Sequence, residues 1–277
     1  MKKFRIGLQL YSIRDAMEKD MDAALKAVKE MGYDCVEFAG YFGKSAEEVK
    51  ALLDKYGLEC VSVHQAPQLF AEEGQKAADY LKTIGAKYCA VPHYDVNKLP
   101  GTPEWEETKN LFLETGKLLK ENGIQLMYHN HDFEFNKYED KFLLDWIFET
   151  LPEEYMQPEI DTCWVHYAGY DPSAYLMKYA GRIKVVHLKD FVCKNLGDGP
   201  VYALIGKDGK EEKKADKSEN GFEFRPVGHG IQDIPAIIDA AEKADAEILI
   251  VEQDMSVDRP PLEAAKMSRD YLKSLGL

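Results

Sequence analysis

No stretch of this chain approaches the roughly 18 consecutive apolar residues of a membrane-spanning helix, so no membrane partner is expected. No run of Lys or Arg forms a basic stripe. The 35 Lys+Arg are outnumbered by 49 Asp+Glu, giving a net charge of −14. That balance repels a phosphate backbone and excludes DNA or RNA as an expected partner. No glycine-rich turn follows the first apolar run, and no Arg cluster marks a phosphate site. There is no CxxC, and Cys35, Cys60, Cys89, Cys163 and Cys193 make an odd set. Reduced, buried thiols are expected rather than disulfides or a cysteine metal site. The start, MKKFRIGLQLYSIRD, lacks the apolar core of a signal peptide, and a cytoplasmic enzyme is expected.

What is present is an alternation of short apolar runs with amphipathic stretches. The runs are FRIGLQL (4–10), CVEFAG (35–40), CVSVHQ (60–65), KYCAVPHY (87–94), IQLMYHNH (124–131), PEIDTCW (158–164), IKVVHLKD (183–190) and EILIVEQD (247–254). They lack strict polar alternation, as buried parallel strands do. Helices are expected at 21–32, 45–57, 71–84, 103–122, 140–150, 172–180, 233–244 and 261–275. Ser45 with Glu48 reads as a capping box. Eight strand–helix units in 277 residues predict a single-domain (β/α)₈ TIM barrel over 1–277. The polar segment 192–225 interrupts the rhythm after the seventh strand. It reads as a surface insertion, a lid or a contact in a homo-oligomer, with Asp208-Gly209 as a hairpin turn inside it.

Chemistry collects near the ends of the late strands. Glu134, Asp161, His187 and Glu252 each follow an apolar run. At a barrel mouth such groups converge, and a mixed N/O set of this kind suits one divalent cation: manganese, magnesium, cobalt or zinc.

The segments GLQLYSIRD (7–15), YHNHDFEF (128–135), EIDTCW (159–164), VVHLKD (185–190), PVGHGIQDIPAII (226–238) and IVEQD (250–254) carry a resemblance. They resemble the xylose-isomerase-like sugar phosphate isomerase/epimerase superfamily, along nearly the whole chain. The resemblance implies a TIM barrel with one divalent metal held by Asp161, His187, Glu252 and a residue of the fifth strand. That residue is Glu134, in the HDFEF variant, or else His129 or His131. It also implies that ligand carboxylates, Glu134 and Glu252, act as acid and base. His64, His129, His131, Lys189, His229, Gln9 and Glu37 are candidate contacts for a sugar or polyol substrate.

A metal that grips vicinal carbonyl and hydroxyl oxygens stabilises an enediolate. Returning the proton gives isomerisation or epimerisation of a keto-sugar, which is the expected activity. Loss of a β-substituent instead gives a lyase of the inosose or 3-keto-glycoside type, the principal alternative. A non-catalytic barrel subunit is a further one. A DNA-repair endonuclease of the same superfamily is disfavoured by the charge.

Overall fold

The computed structural model describes residues 4–197 and 220–277. Strands β1 (Arg5–Gln9), β2 (Cys35–Phe38), β3 (Glu59–His64), β4 (Tyr88–Val91) and β5 (Gln125–His129) come first. Two small strands follow, β6 (Lys137–Tyr138) and β7 (Lys141–Phe142), then β8 (Gln157–Asp161) and β9 (Val185–Leu188). A second small pair, β10 (Asp190–Val192) and β11 (Glu223–Arg225), precedes β12 (Ile248–Val251). Eight strands close a parallel barrel in the order β1–β2–β3–β4–β5–β8–β9–β12, with β12 pairing back to β1. This is the expected (β/α)₈ architecture. No helix among the described residues is long and apolar enough to cross a membrane.

Local signals placed the helices. Ser45 accepts from Glu48 N–H while Glu48 reaches back to Ser45 N–H, so helix Ala46–Tyr56 opens on its capping box. Helix Pro103–Glu121 opens with Thr102 as cap and proline in the first turn. The stretch expected as one helix over 71–84 is two, Gln68–Glu73 and Gln75–Ile84. Gly74 between them adopts φ +55, which turns the chain. The run PEIDTCW also divides. Its strand stops at Asp161, whose carboxylate caps a short helix, Thr162–Tyr167.

The expected insertion over 192–225 is entered and left through an antiparallel ladder. Asp190, Phe191 and Val192 of β10 pair with Arg225, Phe224 and Glu223 of β11. The hairpin expected around Asp208-Gly209 lies outside the described residues. Val185, Ile248, Ile250, Met127, Cys35, Val61 and Ala90 fill the lower barrel interior. The larger core lies between the barrel and its helices. Polar residues therefore enter the interior above an apolar floor, and they do so at the C-terminal strand ends.

Candidate active site

Strand alternation decides which side chains reach the interior. In β5, Met127 belongs to the interior cluster and Tyr128 to the outer core. His129 therefore points inward. By the same rule Cys35 carries Glu37 inward, Val185 carries His187, and Ile250 carries Glu252. In β3 the register passes from Val36↔Cys60 to Glu37↔Ser62, so Val61 is an extra residue. This bulge resets the alternation and turns His64 inward. In β8 both Glu159 and Asp161 are buried on the inner face, Glu159 one layer deeper.

The upper layer is organised around Lys189, whose side chain is 1% exposed. Its Nζ lies 3.0 Å from Asp161 Oδ2, 3.0 Å from Glu252 Oε2 and 3.1 Å from Asp254 Oδ2. Burial disfavours the ammonium, but these carboxylates outweigh it and hold Lys189 charged well above its ordinary value. Glu252 is likewise opposed by burial, yet Lys189 and His187 hold it below the usual carboxylate range. Asp254 goes the other way: burial pushes it up to about 6. Asp161 Oδ1 accepts from Cys163 N–H at 2.8 Å. Asn130 fixes the same residue from across the sheet. Its Nδ2 donates to Asp161 O (3.2 Å), and its Oδ1 accepts from Asp161 N–H (3.0 Å).

The deeper layer holds Gln9, Glu37, His64 and Glu159. Gln9 Nε2 donates to Glu37 Oε1 at 2.7 Å. Glu37 Oε1 lies 2.9 Å from both His64 Nε2 and His187 Nε2. His64 Nε2 also lies 2.9 Å from Glu159 Oε2. Burial opposes the charged form of His64, but Glu37 and Glu159 outweigh it and raise its pKa to about 10. Burial and the Glu37 charge push Glu159 up to about 7. Burial and the neighbouring His187 and His64 keep His129 well below 6.5. The raised His64 value has a testable consequence. A pKa above the unfolded 6.5 adds stability below pH 6.5, and that contribution disappears as pH rises through about 10. Chelator-treated protein should therefore lose more Tm between pH 6.5 and 10 than its His64→Gln variant, by calorimetry. Parallel Tm profiles would refute the assignment.

Above these layers opens a cavity of about 280 Å³ lined by His64, His129, His131, Lys189, Glu252 and Asp254, among others. Five expected site residues thus border it: His64, His129, His131, Lys189 and Glu252. Asp161 and His187 are fully buried behind that lining, against Lys189 and Glu252. Gln9 and Glu37 lie beneath the lining, where Gln9 binds Glu37 and Glu37 meets His64 and His187.

Glu134 lies elsewhere. It sits in a 3₁₀ turn (Phe133–Phe135) rather than at a strand end. Its Oε1 accepts from Tyr128 O–H (2.6 Å) and its Oε2 from His131 N–H (2.7 Å). Tyr128 is the outward residue of β5, so it draws Glu134 behind the strand. The inward position belongs to His129. His229 is exposed beside Tyr271, at 6.4 Å between ring centroids. Asp190 accepts from Gly228 and Gly230 N–H on either side of it, which turns that loop over the rim. Glu159, Asn130 and Asp254 were not singled out from sequence. For Glu159 the signal was there: it stands two residues before Asp161, on the same strand face.

One atom each from His129, Asp161, His187 and Glu252 lies within 4.8 Å of the others. His129 Nε2 stands 3.8 Å from Asp161 Oδ2, and His187 Nδ1 stands 2.9 Å from Glu252 Oε2. Two buried imidazoles and two buried carboxylates converging in this way fit a divalent metal.

The family model described as xylose isomerase-like TIM barrel matches residues 25–275. An inosose dehydratase from Geobacillus kaustophilus (strain HTA426) is 27% identical over 279 residues, covering 92% of this chain and 87% of that protein. Among solved structures, a sugar phosphate isomerase/epimerase from Parabacteroides distasonis ATCC 8503 superposes with a TM-score of 0.76. It is 22% identical and covers 98% of both chains. The IOLI protein, solved with a zinc atom, gives a TM-score of 0.72 at 14% identity, covering 98% of this chain and 97% of that one.

Proposed function

Because the chain belongs to the xylose isomerase-like TIM barrel family, we propose that it is a metal-dependent carbon–oxygen lyase that removes water from a keto-polyol of the inosose class. Relatives across most of its length are named as inosose dehydratases, which favours the lyase alternative over the expected isomerase or epimerase. The observation that carries the reading is the pair Glu252 and Asp254 on one cavity wall. Their environments push their pKa values apart, one below the usual range and the other up to about 6. Paired carboxylates in unlike environments, both within 3.1 Å of the Lys189 ammonium, suit a base and an acid.

Glu252, held ionised by Lys189 and His187, takes the proton from the carbon beside the carbonyl. The buried Lys189 ammonium donates to the oxygen on which negative charge develops. Asp254 gives a proton to the departing hydroxyl, so the expelled group leaves as water. His131 and His64, which line the cavity, offer hydrogen bonds to the substrate's hydroxyls. Glu134 orients His131 through its backbone N–H, a supporting role in place of the ligand and acid–base roles expected of it. His129, Asp161, His187 and Glu252 would hold the metal, which when bound supplies Lewis-acid polarisation of carbonyl and hydroxyl oxygens.

The test is incubation with an inosose and a panel of keto-sugars in D₂O, with and without a chelator. Chelator-sensitive loss of one water by mass spectrometry is expected. A deuterated product of unchanged composition would instead support isomerase or epimerase chemistry. Absence of both turnover and exchange would overturn the enzymatic reading.

A further inference from the structure

Below the upper group lies a second convergence of ligand atoms. His64, His129, Glu159 and His187 each offer one atom within 4.8 Å of the others. Around Glu159 Oε2 the imidazole nitrogens stand at 2.9 Å (His64 Nε2), 3.5 Å (His129 Nδ1) and 3.6 Å (His187 Nε2). Zinc takes nitrogen and oxygen ligands at about 2.0–2.2 Å, so tetrahedral neighbours lie roughly 3.4 Å apart. The three rings converge as well, with centroids 4.7, 5.3 and 4.6 Å apart. His129 Nδ1 and Glu159 Oε1 are buried without a hydrogen-bond partner.

We propose that the barrel carries a second divalent-cation position, one layer below the mouth, formed by His64, His129, Glu159 and His187 and suited to zinc or cobalt. Three imidazoles and one carboxylate select borderline transition metals over magnesium or calcium. The deeper position also avoids a competition that exists above. In the upper group a dication must share Asp161 Oδ2 and Glu252 Oε2 with the Lys189 ammonium, 3.0 Å from each. No lysine or arginine reaches the deeper carboxylates among the ion pairs of the described residues.

The two positions exclude each other. A neutral imidazole has one lone-pair nitrogen. His129 turns Nδ1 toward Glu159 and Nε2 toward Asp161, while His187 turns Nε2 toward Glu159 and Nδ1 toward Glu252. The tautomers that serve one position disarm the other, so one ion per chain occupies either.

The inference rests on the reading that the cavity holds a divalent ion, and on nothing about the reaction. Its test is a Co²⁺ titration of chelator-stripped protein, read by visible absorption. The Asp161→Asn/Glu252→Gln variant should still bind one Co²⁺ with the intense bands of a four-coordinate ion. Adding His64→Gln should weaken that binding at least tenfold. A folded double variant that binds no Co²⁺, or binding that is indifferent to His64→Gln, overturns the proposal. Should the double variant fail to fold, zinc-soaked crystals of the unaltered protein decide by anomalous scattering. A peak between His64 and Glu159 supports the deeper position. A peak only beside Asp161 and Glu252 overturns it, as does the case in which Glu37 and Glu159 merely orient the histidines. Wild-type protein that binds no metal at all would sink the metal reading as well.

Discussion

Replacing Lys189 with Met should lower kcat/KM about 10³-fold on whichever keto-polyol is turned over, a loss of roughly 4 kcal/mol of transition-state stabilisation. Two effects combine. The ammonium is a cation on the cavity wall, placed to meet an oxygen that gains negative charge. It also holds Asp161, Glu252 and Asp254 at 3.0–3.1 Å. Methionine fills much of the same volume but leaves those carboxylates mutually repelling in a buried site. Glu252 then loses the first of the charges that hold it ionised, and its pKa must climb. The pH–rate profile should shift its acidic limb upward together with the fall in kcat/KM. A loss below tenfold, with an unmoved acidic limb, would remove Lys189 from the reaction.

Replacing Asp190 with Ala should cost stability on the order of 3–5 kcal/mol, because it orphans several backbone donors at once. The Asp190 carboxylate accepts from Phe191 N–H (2.9 Å), Gln232 N–H (3.1 Å), Gly228 N–H (3.0 Å) and Gly230 N–H (2.9 Å). Gly230→Ala tests the same clamp from its other side. A Cβ there would meet Asp190 Oδ1 at 2.2 Å and Phe191 O at 2.4 Å. The clamp also reaches the candidate site, since Gln232 Nε2 donates to Lys189 O at 3.2 Å. Both variants should unfold at lower urea concentration and lose activity in parallel. A urea midpoint within error of the unaltered protein for both would show that the loop stands without Asp190.

The barrel was legible because each strand is a short apolar run bounded by turn or cap residues, and such runs suit strands buried on both sides. Asp161, His187 and Glu252 were legible for a related reason, since a strand that turns abruptly polar at its C-terminal end delivers that group to the mouth. Glu134 was misplaced by the same reasoning. Counting along HNHDFEF shows a carboxylate after a strand, but not where the strand stops. The 3₁₀ turn at Phe133–Phe135 folds Glu134 back onto Tyr128, an outward residue. His229 was misplaced because the loop that carries it is shaped by Asp190, from a distant point in the chain.

Sequence by itself determined the parallel barrel, the late-strand position of the candidate site and the family, because period, caps and motif spacing are local properties. The tertiary structure alone decided which of the many polar groups meet. The bulge at Val61 set the phase of His64, and the closure of β12 on β1 completed the ring of inward-facing groups. Glu159 became a neighbour of three histidines from three other strands, and Asp254 a partner of Lys189. Those contacts span strands far apart in the chain, and their distances depend on barrel stagger and side-chain direction, which residue order does not encode at short range.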